Sequence, residues 1–331
     1  MGAVNPRATQ RLQRFERHAG IHSRLRRPCH NRGMGFLRTI ASAVGLAPKP
    51  RLHVAGDVGE GPAVILVHGI ASSSVTFQNL VPLLEEDHRV ISIDILGHGG
   101  SPAPPKAEYT IEEHVKWLER TIRSLRVKGD YTIVGHSLGA LIVSRFARTN
   151  PNDIAKVVLV SPPIYLTPDA IGDRVERAAV GAYLRAYEYL RTHKEFTLKR
   201  AAMIARLVPI RNVFEITEHN WRAFVLSLER CIESQTTVTD IAGIAAPVDI
   251  VYGSLDQFIV PGSMRFIKNL RNVTVRRVDL NDHIVRRRLA REVAAAIRGE
   301  RSDAAVESVG DRADAPRQPE RAAHGEGGRS D

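Results

Sequence analysis

Tyr131–Val143 reads YTIVGHSLGALIV: an apolar run, a pause at Gly-His-Ser-Leu-Gly, and a second apolar run. The first run, short and β-branched, predicts a strand ending near Val134. The second opens a helix from Leu138 to Arg148 that stops before Pro151. Ser137 therefore stands in a sharp strand-to-helix turn. Such a turn strains its central residue and crowds the neighbours, and Gly135 and Gly139 remove the side chains that would collide. The hydroxyl then projects from the strand's C-terminal end, beside the free N–H groups of the following helix.

Outward from this turn, apolar strands alternate with helices. RLHVA (51–55) and PAVILVHG (62–69) read as strands around the turn GDVGEG, followed by RVISIDI (89–95). Thr110 and Glu113 form a capping box that opens a helix with Val115, Leu118, Ile122 and Leu125 inward, closed by Gly129. KVVLV (156–160), VDIVYG (248–253) and VTVRRV (273–278) are further strands, and a last helix covers about 286–298. Strands that are apolar throughout, separated by helices, predict an α/β fold: a mostly parallel twisted sheet with helices on both faces.

Residues 164–244 break the alternation. They show only helical stripes, Val180, Tyr183, Leu184 and Tyr187 in one and Trp221, Phe224, Val225, Leu228 and Ile232 in another. These are read first as core packing and second as substrate lining, in an all-helical cap inserted between core segments 34–163 and 245–300. MGFLRTIASAVGL (34–46) predicts an amphipathic helix. Residues 1–33 are Arg-rich without apolar periodicity, and 301–331 are polar with Gly and Pro; both termini are expected to be disordered.

The formal charge of +11 is concentrated at the start, where Arg7, Arg11, Arg14, Arg17, Arg24, Arg26, Arg27, Arg32, Arg38 and Lys49 face only Glu16. A basic arm is present rather than a basic domain. It has only Phe15 for stacking and no nucleic-acid module follows, so no nucleic acid is expected; a peripheral contact with anionic membrane through the arm is the alternative. The 43% hydrophobic content supports a sizeable core, and no run approaches the roughly 18 apolar residues of a membrane span. The start lacks a secretory signal's pattern. Cys29 and Cys231 form no disulfide framework and lack metal spacing, which fits a reducing, cytoplasmic setting. No clustered His, Asp and Glu spacing suggests a metal, and no cofactor is expected.

A serine hydroxyl needs a base, and the base an orienting carboxylate. In an open parallel sheet both should lie just past the C-terminal ends of later strands. Asp256 in VYGSLDQFIV and His283 in VTVRRVDLNDHIV meet that condition. Asp249, within its strand, and Asp282, beside His283, are the rival carboxylates. His136 precedes the serine and is expected to face away from it, and His68 and His98 lie on loops that could shape the site. The N–H of Leu138 and that of Ile70, after His68-Gly69, would hold a developing oxyanion.

With these residues in place the chain resembles the α/β-hydrolase fold superfamily, in its capped, esterase-like serine hydrolase branch. The resemblance rests on LVHGIASSS, IDILGHGGSPAP, GHSLGA, YGSLDQF and NDHIV, in that order across about 51–298. It implies Ser137, Asp256 and His283 as the triad, Ile70 and Leu138 as oxyanion donors, and Asp94 and His98 as buttresses. Asp282 stands where glycine is common before the last histidine, and Leu96 where proline is common. Serine rather than aspartate at the nucleophile position argues against epoxide hydrolases and dehalogenases. The expectation is a carboxylic ester hydrolase acting on a small, largely apolar acyl substrate. Thioesterase, lactonase, carbon–carbon bond hydrolase and acyltransferase share the constellation, and a non-catalytic ligand binder would keep the fold.

Overall fold

The computed structural model describes residues 49–165, 174–207, 215–300 and 305–307. The arm, the helix expected at 34–46, Cys29, parts of the cap and most of the tail lie outside them. Eight strands form one sheet in the order β1-β3-β2-β4-β5-β6-β7-β8. These are β1 (Val54–Val58), β2 (Ala63–Val67), β3 (Arg89–Ile93), β4 (Tyr131–His136), β5 (Ile154–Val160), β6 (Val248–Gly253), β7 (Val273–Val278) and β8 (Ala305–Glu307). The six central strands are parallel; β1 and β8 run antiparallel at the two edges.

The apolar strands bury both faces. Along β2, Ala63, Ile65 and Val67 enter one core while Val64 and Leu66 enter the other. The helices are α1 (Val81–Leu84), α2 (Ile111–Leu125), α3 (Leu138–Thr149), α4 (Arg174–Thr192), α5 (Lys194–Leu207), α6 (Trp221–Ser227), α7 (Thr237–Ala242), α8 (Pro261–Ile267) and α9 (Arg287–Arg298). The first face packs α2, α3 and cap residues such as Tyr187 and Phe224; the second packs α1 and α9. The described part of the excursion between β5 and β6 is helical, with α6 continuing into a π-turn over Leu228–Glu233. No described helix is long and apolar enough to cross a membrane.

Four local readings need correction. The first strand is displaced to Val54–Val58, so that GDV pairs with β3 instead of turning; a bulge between Val54 and Gly56 absorbs the misfit. The helix α2 ends at Arg126, which itself takes the left-handed cap (φ 49°), before Gly129 is reached. Its start is a variant box: Thr110 Oγ1 accepts from Glu113 N at 3.2 Å, but the Glu113 carboxylate accepts from Glu108 N and Tyr109 N. Within the segment expected as a disordered tail, Ala305–Glu307 pairs with β7 as a short edge strand.

Candidate active site

The sheet order sets the location. From β2 the chain steps to β3 on one side, then returns to place β4 on the other, so the loops after β2 and β4 diverge around a crevice. In that crevice Ser137 adopts φ 53° and ψ −121°, a conformation that β-carbon-bearing residues rarely occupy. Its N–H donates to Val160 O at 3.0 Å, pinning the turn to β5. A β-carbon on Gly135 would lie 2.4 Å from Gly139 O, and one on Gly139 would lie 2.3 Å from Val67 O. The glycines thus let α3 press against β4 and against the end of β2.

Leu138 is the first residue of α3, so its N–H has no acceptor within the helix. Across from it, the loop after β2 is held by a buried polar knot. His68 Nδ1–H donates to Gly69 O at 2.8 Å while Nε2 accepts from Ile95 N at 3.0 Å, which fixes a neutral tautomer. Asp94 accepts from Ser74 N (2.8 Å), Ser74 Oγ (2.6 Å) and Gly100 N (2.8 Å), and bonds His53 Nδ1 at 2.9 Å. Burial opposes its charge, but these partners and His68 outweigh that and hold the carboxyl far below its usual range. His98 packs against His68 with ring centroids 6.4 Å apart and donates from Nδ1 to Leu96 O. His68, Gly69, Asp94 and His98 accordingly form the frame that carries Ile70.

Asp256 follows β6 and His283 follows β7. His283 Nδ1 lies 2.9 and 3.0 Å from the two Asp256 oxygens, and Phe258 N donates to the same carboxylate at 3.0 Å. Burial would raise the Asp256 pKa, but the imidazole's hydrogen bond and charge win and lower it. The rival carboxylates are occupied elsewhere: Asp249 by Arg276 (3.1 Å) and Lys156 (3.4 Å), Asp282 by Arg286 at 2.8–3.2 Å. Ser137 and His283 open on one cavity; among the described residues neither the serine hydroxyl nor His283 Nε2 has a hydrogen-bond partner. Ser137 is thus a cavity neighbour of the His283–Asp256 pair and is not hydrogen-bonded to it.

The expectation that His136 faces away from the serine needs correction, because both residues line the same cavity. The His136 ring stands 4.9 Å from that of His283 and donates from Nε2 to the His283 carbonyl at 2.9 Å. The loop after β7 folds back against this ring, closing the site on that side. The sequence signal was proximity to the elbow alone.

The cavity, about 350 Å³, is walled by Ile70 from the core and by Tyr187, Phe224, Leu228 and Ile232 from the cap stripes. Those four cap side chains are buried as well as lining the cavity, so core packing and cavity wall coincide in them. Tyr183 OH donates to Gln257 O, joining α4 to the Asp256 loop. No group of three potential metal ligands occurs among the described residues.

Burial holds His98 down to about 4, and His114 and His136 to about 3. These bases are neutral in the fold and protonate readily once unfolded, from about 6.5. Their contribution is therefore intact above about pH 6.5 and is lost as pH falls towards 4. Urea titrations should show unfolding free energy dropping by on the order of 5 kcal/mol between about pH 7 and about pH 4.5. A flat profile would refute the buried neutral cluster. His53, raised by its bond to Asp94, opposes the trend weakly because it is half exposed.

Residues 62–202 match the family model described as alpha/beta hydrolase fold. Probable lysophospholipase BODYGUARD 2 of Arabidopsis thaliana is 33% identical over 113 residues, covering 33% of this chain and 24% of that protein. A cis-3-alkyl-4-alkyloxetan-2-one decarboxylase of Shewanella oneidensis is 33% identical over 121 residues, covering 36% and 38%. The chain thus spans between about a quarter and two-fifths of the length of these curated relatives. Among solved structures, a thermophilic esterase from Thermogutta terrifontis superposes with a TM-score of 0.57 at 20% identity, over 76% of this chain and 97% of that one. An E-2-(acetamidomethylene)succinate hydrolase gives 0.55 at 24% identity, over 73% and 92%. Sheet order, elbow and these likenesses agree: the chain has the α/β-hydrolase fold, with the family match lying over residues 62–202.

Proposed function

We propose that this protein is a serine hydrolase that cleaves a carboxylic ester with an apolar acyl group. One observation carries the proposal: a strained elbow serine shares an apolar cavity with a histidine whose other ring nitrogen is bonded to a buried carboxylate. In the proposed cycle Ser137 Oγ attacks the ester carbonyl and His283 Nε2 takes its proton. Asp256, accepting from Nδ1–H, keeps the tautomer and stabilises the imidazolium. The N–H groups of Ile70 and Leu138 receive the oxyanion. The imidazolium then protonates the leaving alkoxide, and water repeats the addition on the acyl-enzyme. No metal or cofactor enters these steps. The names borne by the A. thaliana relatives, lysophospholipase, and by the T. terrifontis neighbour, esterase, support acyl transfer to water.

The test is covalent. A fluorophosphonate probe should label the folded protein at Ser137 and nowhere else, and prior heat denaturation should abolish labelling. A folded protein that resists the probe would favour a ligand binder over an enzyme.

A further inference from the structure

The wall of the cavity is nearly all hydrocarbon, and its polar groups are mostly engaged. Thr197 Oγ1 donates to Leu190 O at 2.6 Å, Ser72 Oγ bonds Thr76 Oγ1 at 2.8 Å, and Tyr187 OH bonds Tyr165 OH at 2.6 Å. Arg200 is different. It is the only described residue of the wall with a permanent charge, and it is also exposed, so it stands at the opening. Its guanidinium lies over the Phe196 ring, 5.3 Å from the centroid. Among the described residues no carboxylate pairs with it. Two other cap cations are engaged, Arg191 with Glu233 at 3.1 Å and Lys194 with Glu218 at 2.5 Å.

We propose that Arg200 binds the anionic group of an amphiphilic substrate, a carboxylate or phosphate monoanion or dianion tethered to the apolar acyl chain that fills the cavity. The proposal rests on the cavity being the substrate site. A planar guanidinium offers paired donors that match either oxyanion, and stacking on Phe196 holds its plane while leaving those donors free. The apolar wall behind it excludes water from one side, which strengthens the contact relative to an isolated surface pair. A neutral amphiphile would gain only the burial of its chain.

Binding, measured by calorimetry with octanoate, octyl phosphate and octanol, tests this without requiring turnover. The wild type should bind at least one of the anions about tenfold or more tighter than octanol. Arg200→Ala and Arg200→Gln should lose that preference and keep the octanol affinity, while Arg200→Lys should retain part of it. The tighter of the two anions identifies the group. Octanol binding as well as both anions, or anion affinity unchanged in Arg200→Ala, would overturn the proposal. Because no catalysis is read, an unlabelled Ser137 would sink the hydrolase reading and leave this result standing on its own.

Discussion

Ser137→Ala is expected to lower kcat on a p-nitrophenyl acyl ester by about 10⁴-fold or more, with KM changed little. The substitution removes one oxygen and leaves everything around it. Alanine still occupies φ 53°, the His283–Asp256 bond does not involve the serine, and the cavity walls are unchanged. Substrate therefore binds much as before, while the bond that forms the acyl-enzyme has no donor atom. What remains is the catalysis available from the Ile70 and Leu138 N–H groups to adventitious water. A variant retaining activity within about tenfold of the parent would exclude the covalent route.

Gly139→Ala is expected to destabilise the fold by about 3 kcal/mol or more. The added carbon would meet two carbonyl oxygens, Val67 O at 2.3 Å and His68 O at 2.4 Å. Both belong to backbone at the end of β2, so no rotamer can relieve the clash. Either α3 lifts from the sheet or the His68–Gly69 loop moves, and both proposed oxyanion donors sit at that junction. A fall in Tm of about 10 °C, followed by circular dichroism, is the expected reading for a domain of this size. Gly181→Ala in α4 is the internal control. There the nearest atom is Arg185 Nη1 at 3.5 Å, so alanine should be neutral or slightly stabilising. Equal Tm values for the two variants would contradict the close packing assigned to the elbow.

The sequence is most legible where burial leaves little choice. VDIVYG and VTVRRV become β6 and β7 with the bounds read from their apolar runs, because central strands admit few registers. Once strand ends are known, Asp256 and His283 follow, since each stands directly past one. Legibility falls where pairing decides. The edge strand β1 is only partly buried and is positioned by β3, and β8 is three residues with no periodicity at all. It fails too where loops fold back: nothing local announces that the chain after β7 covers His136. Arg200 is hidden for a related reason. Helical spacing shows which cap residues share a face, but not what that face covers, so a cation at the opening reads as ordinary solvated charge.

The cap leaves the sheet after β5 and returns at β6, and those two strands are bonded neighbours, with Val157 opposite Val248 and Val160 opposite Val251. The excursion therefore starts and finishes at two points the sheet already holds together. Closing such a loop costs free energy only as the logarithm of its length. Helices can be lengthened, traded or remodelled there without shifting the register of any strand or the turn that bears Ser137. On the proposed function, selectivity and chemistry are thereby housed in separately replaceable parts of one polypeptide.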